Sequence, residues 1–226
     1  MKIKFDLKKL ALAAVLCALA LGSMFVFRIK VQFLTFDAKD SVIALCSLLL
    51  GPLYGVCSAA AVAVLELFTT GSDTGFYGLI MNFLSSGTFA LTCGIIYKYR
   101  RTFGGAVLAV IMSVISVTTV MLLANLFITP LFMHAPRSAV VAILPTLILP
   151  FNLTKSSLNA AITLMVYKPL SAALKRAGLT PSSGDAKYRF GLRSVIVTVC
   201  AVLVIIAAVL VLILCMGGSF KFFNAK

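Results

Sequence analysis

Long apolar runs constrain this chain more than any other feature. The first run, LALAAVLCALALGSMFVF at residues 10–27, follows four lysines and is long enough, as a helix, to cross a bilayer. Hydrophobic residues make up 62% of the chain and charged residues only 12%, so a single water-soluble core cannot bury its apolar surface. We therefore predict an all-α integral membrane protein that passes through the cell membrane several times.

Seven membrane spans are predicted from the lengths of the apolar runs and the positions of helix-breaking residues. The pair Gly51-Pro52, with Gly55, predicts a tight reversal between the second and third spans. Pro145 and Pro150 predict an interrupted entry to the sixth span, across residues 138–149. The predicted spans are 10–27, 41–50, 52–68, 77–97, 104–128, 150–168 and 193–216.

The first run has one alternative interpretation, a cleaved signal peptide, because Ala18-Leu19-Ala20 is typical of a cleavage site. Apolar residues continue beyond that site, which favours a retained helix. The chain then divides into a six-span domain at 1–178, a polar connector at 179–192, and a further span with a short tail at 193–226.

The basic residues predict the orientation of these spans. Thirteen of the twenty Lys and Arg residues lie before span one, after span four and around the 179–192 connector. Cytoplasmic flanks carry such an excess, so we expect the amino terminus inside and Lys226 outside. Arg28, Lys30 and Lys39 oppose this orientation.

Several functional classes do not fit the sequence. The loop GSDTGFYG at residues 71–78 lacks the phosphate-binding pattern of ATPases, and His134 has no evident partner for nucleophilic catalysis. The six cysteines are scattered singly in apolar runs, without the spacing of a metal site. The basic residues flank spans, which argues against nucleic-acid binding. We predict no enzymatic activity, no cofactor and no metal.

A polar stripe in the sixth span carries the clearest functional signal. Asn152, Lys155, Ser156 and Asn159 are spaced so that all four lie on one face of a helix. Polar groups inside a membrane are costly, so such a stripe predicts a pocket for a planar heterocycle. The alternative is that asparagine joins helices and that Lys155 reaches the interface. Spacing alone leaves both interpretations open.

Other polar residues have two interpretations as well. Asn125 in span five either faces the same cavity or bonds to a neighbouring helix. Glu66 and Asn82 flank the loop at 69–75, and we expect them to order that loop. The stretch VQFLTFDAKD at 31–40 predicts a loop that covers a ligand, with Asp40 as the cap of a helix beginning at Ser41.

The order of these features resembles a known family. In sequence they are FLTFDAKD (33–40), GPLYG (51–55), MNFLSSGTFALTCGIIYKYR (81–100), LLANLFITPL (122–131) and LPFNLTKSSLNA (149–160). Together they resemble the S component, the membrane-embedded substrate-binding subunit, of energy-coupling factor (ECF) vitamin transporters, and particularly the riboflavin-binding type. The resemblance covers about residues 8–178.

The resemblance implies a fold, a ligand and partners. It implies a six-helix S-component bundle, here with an additional C-terminal transmembrane helix, which binds riboflavin near the outer face. A T component and two ATPase subunits would drive its release inward. Asn125, Asn152 and Lys155 would contact the isoalloxazine ring, and the loop residues Phe33, Leu34, Phe36 and Asp37 would cover the ligand. Ala14 and Ala18, four residues apart, would dock on the T component.

Two alternatives remain open at this stage. The chain is an S component for another vitamin or a related flavin, because the Asn-x-x-Lys pattern is short. Otherwise it is a membrane scaffold without transport, whose polar residues only join helices. Flavin absorbance in the purified protein separates riboflavin binding from both.

Overall fold

The computed structural model describes residues 6–26, 28–69, 75–178, 192–211, 213 and 219–220. Its eight α-helices in the described ranges pack together as a bundle. The helices are α1 (Leu7–Val26), α2 (Lys39–Leu50), α3 (Pro52–Thr69), α4 (Gly75–Tyr99), α5 (Phe103–Met133), α6 (Arg137–Ile143), α7 (Leu149–Arg176) and α8 (Leu192–Leu210).

A short hairpin follows α1 and marks one end of the bundle, called here the hairpin end. Strands β1 (Arg28–Val31) and β2 (Leu34–Asp37) pair antiparallel, and Gln32 between them has a positive φ of 51°. A third strand, β3 (Ser219–Phe220), pairs antiparallel with the other edge of β1. The stretch predicted as a covering loop is therefore a strand and turn leading into α2.

The opposite end of the bundle, called here the basic end, holds the start of α1 and the turns α2–α3 and α4–α5. Gly51, with φ 114°, makes the reversal between α2 and α3. Gly55 lies inside α3 instead of in the turn, and a Cβ added there would come within 2.5 Å of Ser47. A Cβ on Gly94 of α4 would also collide with Ser47, so these two glycines let α3 and α4 pack closely on α2.

The predicted interruption before the sixth span is confirmed. A π-helical segment, Leu144–Ile148, joins α6 to α7. Pro145 and Pro150 lack the N–H group that a regular α-helix requires, so the hydrogen-bond pattern changes where they occur. This segment lies directly before the polar stripe of α7.

The apolar faces of the helices meet in several buried clusters. The largest joins α2, α4, α5 and α7 through small, branched and aromatic side chains, among them Ala44, Phe89, Ala109 and Val117. A second cluster lies under the hairpin, where Ile29, Val31 and Phe36 pack against Leu158 of α7 and Ala208 of α8. The hairpin is thus anchored by its own apolar face and by the last helix.

The helical membrane fold predicted from the sequence is confirmed. Five stretches in the described ranges are long and apolar enough to cross a membrane, the last of them being α6, the π segment and α7 taken together. Helix α2, with 12 residues, and the apolar part of α8, Val195–Leu210, are shorter. The loop at 70–74, nearly all of the connector at 179–192, Cys215 and the carboxyl-terminal Lys226 lie outside the described residues.

Candidate functional site

A cavity of about 250 Å³ lies at the hairpin end, enclosed by the hairpin and by α3, α4, α5 and α7. Its wall is part polar and part apolar. The polar contributors are Arg28, Lys30, Thr35, Glu66, Asn82, Ser85, Asn125, Thr129, Asn152 and Lys155, and the larger apolar ones are Phe33, Leu34, Tyr77, Met81, Met121, Ile128, Phe132 and Phe151. A concave site of this mixed character suits a small organic ligand.

Two buried asparagines are held in place by their own helices. Asn125 Nδ2 donates to the Met121 carbonyl at 2.7 Å, and Asn125 Oδ1 accepts from Thr129 Oγ1 at 2.8 Å. Asn152 Nδ2 donates to the Ile148 carbonyl, in the π segment, at 2.8 Å. Each amide NH₂ carries a second proton, and each carbonyl oxygen accepts two hydrogen bonds. Both side chains are therefore oriented, with bonding capacity left for a ligand in the cavity.

Lys155 adds a positive charge to the same wall. Its side chain is 8% exposed, and Nζ donates to the Thr35 carbonyl at 3.1 Å and to Asp37 Oδ2 at 3.4 Å. An ammonium has three protons, so these contacts still leave one for a ligand. Strand β2 and the Asp37 carboxylate hold the amine inside the protein, which argues against the alternative in which Lys155 extends to the membrane interface.

Asp37 belongs to a buried chain of charges beneath the cavity. Lys39 Nζ lies 3.4 Å from Asp37 Oδ2 and 2.6 Å from Glu66 Oε2, so the sequence of charges runs Glu66, Lys39, Asp37, Lys155. Two carboxylates and two amines balance each other, which lets all four charges be buried. This network ties the hairpin to α2, α3 and α7.

The charge state of Asp37 follows from these neighbours. Burial by itself would raise the pKa of this carboxyl, but Lys155 and Lys39, with the backbone N–H of Lys39, hold the pKa below its ordinary value of 3.8. Asp37 is accordingly ionised at neutral pH, and it fixes the amine of Lys155 at the cavity wall.

The hairpin closes the cavity with apolar side chains. The rings of Phe33 and Phe132 lie 6.0 Å apart at an interplanar angle of 54°, within the range of favourable aromatic contacts. Leu34 lies beside them in the wall.

The structure brings five of the seven predicted ligand residues together around this cavity: Asn125, Asn152, Lys155, Phe33 and Leu34. Phe36 and Asp37 do not line it. Phe36 is fully buried in the cluster under the hairpin, and Asp37 makes the ion pairs with Lys39 and Lys155. Phe36 and Asp37 therefore support the cavity wall from behind and do not make the predicted contact with a ligand.

The rest of the polar stripe on α7 serves other contacts. Asn159 Nδ2 donates to the Asp37 carbonyl at 3.1 Å, while its Oδ1 accepts from the Ser41 backbone N–H at 2.9 Å. Ser156 Oγ donates to the Asn152 carbonyl at 2.6 Å. Neither lines the cavity. The stripe thus combines both interpretations: Asn152 and Lys155 lie at the cavity, and Asn159 joins α7 to α2 and the hairpin.

Two further expectations concern Asp40 and the pair Glu66 and Asn82, and the first of them needs correction. Asp40 does not cap α2, because the helix already begins at Lys39 and Ala38 at its N-cap makes no side-chain bond. The Asp40 carboxylate instead accepts hydrogen bonds from Ser85 and Ser86 of α4. Glu66 and Asn82 both line the cavity, and Glu66 pairs with Lys39. Residues 70–74 of the loop that they are expected to order lie outside the described residues, so that expectation stays a prediction.

Sequence reasoning missed several wall residues on α4 and α5. Helical spacing was the available signal, because Tyr77, Met81 and Ser85 repeat every four residues on α4. On α5, Met121, Asn125, Thr129 and Phe132 recur at intervals of four, four and three residues, which also keeps them on one face. Most of these side chains are apolar or hydroxylic, and in a membrane helix such residues do not stand out from lipid-facing ones.

The proposed docking residues lie away from the cavity. Ala14 and Ala18 are exposed on the outer face of α1, while Ala13, Leu16 and Ala20 of the same helix are buried against the bundle. The small pair is therefore available on a surface that no described part of this chain covers.

Comparison with known proteins identifies one family. Residues 8–167 match the family model described as "ECF transporter, substrate-specific component". The chain is 30% identical over 151 residues to riboflavin transporter RibU of Staphylococcus aureus (strain TCH60), an alignment covering 64% of this chain and 78% of the relative. It is 26% identical over 171 residues to riboflavin transporter FmnP of Bacillus subtilis (strain 168), covering 71% and 90% respectively.

A solved structure has the same fold. The match, from work titled "Structure and mechanism of the S component of a bacterial ECF transporter", has a TM-score of 0.64 and 29% sequence identity. It covers 98% of that chain but only 75% of this one. The family match ends at residue 167, so α8 and β3 lie beyond it.

Proposed function

Because the chain belongs to the family of substrate-specific components of ECF transporters, we propose that it binds riboflavin in the hairpin-end cavity and delivers it across the membrane. The observation that carries this proposal is the convergence of Asn125, Asn152 and Lys155 on one wall. Members of this family capture a substrate and are not enzymes. The riboflavin transporters of S. aureus and B. subtilis are the curated relatives that support the choice of ligand.

The chemistry of the cavity suits a flavin. The pyrimidine edge of the isoalloxazine ring alternates hydrogen-bond donors and acceptors, which the two amides and the Lys155 amine can match. The dimethylbenzene edge requires apolar contacts, which Phe33, Phe132 and the methionines of α4 and α5 supply. Aromatic rings at the cavity wall also favour stacking on a planar ligand.

The size of the cavity constrains how the ligand lies. Its volume of about 250 Å³ is close to the lower limit of about 300 Å³ for ordinary ligand pockets. We expect the ring system to fill the enclosed part and the ribityl chain to extend toward Arg28 and Lys30 on β1, where hydroxyl groups find polar partners.

Transport requires partners that this chain does not supply. The resemblance implies a T component and two ATPase subunits, and the exposed Ala14 and Ala18 face of α1 is the proposed contact with the T component. The cavity faces the outer side in this proposal, because the basic end of the bundle carries Lys9, Lys98, Arg101 and Lys175, as cytoplasmic flanks do.

Two alternatives compete with the riboflavin proposal: a different ligand, and a scaffold without transport. Another vitamin or a related flavin would use the same family fold, and Arg28 and Lys30 in the cavity wall are compatible with an anionic substituent. A scaffold without transport would leave the cavity without function. The family membership argues against the scaffold but leaves the ligand to experiment.

Purification followed by titration tests the proposal. The full chain, expressed in cells supplied with riboflavin, should carry flavin absorbance after purification, and the stripped protein should quench the fluorescence of added riboflavin. Parallel titrations with riboflavin, its phosphate and an unrelated vitamin rank the ligands. A stable, correctly inserted protein that binds no flavin would rule out the riboflavin assignment while leaving the family intact.

A further inference from the structure

A second cavity lies at the basic end of the bundle, far along the helices from the flavin site. It has a volume of about 620 Å³ and is formed where α1 and α4 approach the α2–α3 and α4–α5 turns and the last turns of α7. No wall residue is shared with the hairpin-end cavity. Nothing in the proposed riboflavin function uses this space.

Four cations from three parts of the chain line this cavity. They are Lys9 of α1, Lys98 and Arg101 around the end of α4, and Lys175 of α7. Among the residues that the structure describes, no carboxylate lines it and none pairs with these four side chains. Asp6 is the described acidic residue at this end, and its carboxylate accepts from the Lys8 backbone N–H outside the wall.

The side chains, not the helix ends, set the sign of the potential in this cavity. Helices α3 and α5 begin here with their positive dipole ends, but α2 and α4 end here and Lys175 lies in the last turn of α7, so negative dipole ends oppose them. Four like charges gathered in one concavity repel each other unless an anion joins them. The arrangement therefore favours a ligand with negative charge.

The remaining wall defines the kind of anion. Leu48, Leu49, Leu53 and Phe103 form an apolar part, and Tyr97 and Tyr167 add hydroxyl groups. The hydroxyl of Tyr54, also in the wall, accepts from the Asp6 backbone N–H at 3.3 Å. Tyr97 and Tyr167 hydrogen-bond to each other through their hydroxyls. Lys168, outside the wall, stacks over Phe103 with Nζ 4.1 Å from the ring centroid and adds a fifth cation nearby.

We propose that this cavity binds the phosphate headgroup of an anionic phospholipid from the adjacent leaflet. The cations and tyrosine hydroxyls hold the phosphate, and the apolar part receives the glycerol and the start of an acyl chain. Basic pockets between the ends of transmembrane helices commonly bind headgroups in this way. A freely soluble phosphate uses the cations but leaves the leucine wall without a partner, which favours the lipid.

Lipid retention by the full chain tests this inference. The protein in mild detergent is supplied with phosphatidylglycerol or phosphatidylcholine. Native mass spectrometry counts the bound lipid, and thermal unfolding measures the stabilisation that each lipid gives. We expect selective retention of phosphatidylglycerol. Lys98→Gln with Arg101→Gln should reduce that retention at least about five-fold and remove the thermal stabilisation by the lipid.

A matched control separates the cavity from general charge. Arg100→Gln with Arg176→Gln removes the same charge at the same end, but neither residue lines the cavity. It should retain phosphatidylglycerol as the parent protein does. Equal loss in both double variants would overturn the proposal, because it would show binding to diffuse positive charge. Unfolding temperatures without added lipid check that both variants fold.

Two further results would also overturn the lipid assignment. In the first, inorganic phosphate or riboflavin phosphate, added without lipid, stabilises the parent protein as phosphatidylglycerol does. If Lys98→Gln with Arg101→Gln removes that stabilisation, the occupant of the cavity is a soluble phosphate. Alternatively, the cavity variant could retain phosphatidylglycerol normally but fail to assemble with transporter partners, which would assign the cavity to a protein contact. Riboflavin binding at the other end is a separate readout, so failure of one proposal does not decide the other.

Discussion

Lys155 of α7 and Asp37 of the hairpin form an ion pair at 3.4 Å between positions 118 residues apart in the chain. The pair joins the element that covers the cavity to the helix that supplies its polar wall. Since Lys39 and Glu66 continue the same network, the position of the hairpin depends on charges in three helices. Ligand binding and hairpin closure are expected to be coupled through this contact.

The first prediction concerns the polar wall. Asn152→Ala and Lys155→Met should each weaken riboflavin binding about ten-fold or more, because a lost hydrogen-bond partner in a buried site costs about 1 to 3 kcal/mol. Fluorescence titration of the purified variants measures the change. Ser156→Ala is the control, since Ser156 is the neighbour of Lys155 on α7 but bonds only to backbone of its own helix. Parent-like affinity in both wall variants would show that these residues only join helices.

The second prediction concerns the stability of the network. Asp37→Asn removes the carboxylate that pairs with both Lys39 and Lys155, while Lys39 keeps its ion pair with Glu66. Removing one partner of a buried ion pair typically costs about 3 to 5 kcal/mol, so the unfolding temperature should fall clearly. Asp6→Asn changes an exposed carboxylate and should have little effect. Equal unfolding temperatures for the two variants would mean that the buried network contributes nothing to stability.

The third prediction concerns pH. The pKa of Asp37 is lowered in the folded protein, so its contribution to stability is complete above its ordinary value of 3.8 and is lost as the pH falls through the lower folded value. The unfolding temperature should therefore be insensitive to this group between about pH 5 and 8 and decrease below about pH 4. Thermal unfolding across that range tests it. In Asp37→Asn the acidic decrease should be smaller, and an unchanged decrease would assign it to other carboxylates.

The fourth prediction concerns α8, which lies beyond the family match. Ala208 belongs to the buried cluster under the hairpin, and Ile205 and Val209 pack against it. Ile205→Ala should loosen the hairpin and speed the release of bound flavin several-fold, as measured by stopped-flow fluorescence. Ile206→Ala, at a position 52% exposed on the same helix, is the matched control. Identical release rates in the two variants would show that α8 does not restrain the hairpin.

The fifth prediction concerns partner docking. Ala14→Trp with Ala18→Trp should leave riboflavin binding unchanged, because both side chains point away from the bundle, but should abolish uptake in cells that supply the T component and ATPases. Ile115→Trp, at an exposed position of α5, is the control. Helix α5 packs against α4, α6 and α7, so this position lies away from the proposed docking surface on α1. Normal uptake in the double variant would place the docking surface elsewhere.

The sequence by itself determined the helical membrane architecture. Each apolar run is a local property, and the cost of unpaired backbone in lipid leaves helices as the solution for such runs. Gly51 and the two prolines before α7 act on their own neighbourhoods, so the reversal and the interrupted entry could be located in advance. The spacing of Asn152 and Lys155 is equally local, which is why their common face was predictable.

Only the tertiary structure decided which side chains face the cavity. Asn152 and Asn159 lie on the same face of α7, yet Asn152 lines the cavity and Asn159 bonds to the Asp37 carbonyl and the Ser41 N–H, because the end of the hairpin and the start of α2 pack against the second position. Phe36 and Asp37 do not line the cavity for a related reason. Strand pairing leaves Phe36 in the cluster under the hairpin, and the ion pairs with Lys39 and Lys155 hold the Asp37 carboxylate. Contacts between residues more than a hundred positions apart depend on the packing of the whole bundle, so local sequence patterns do not predict them.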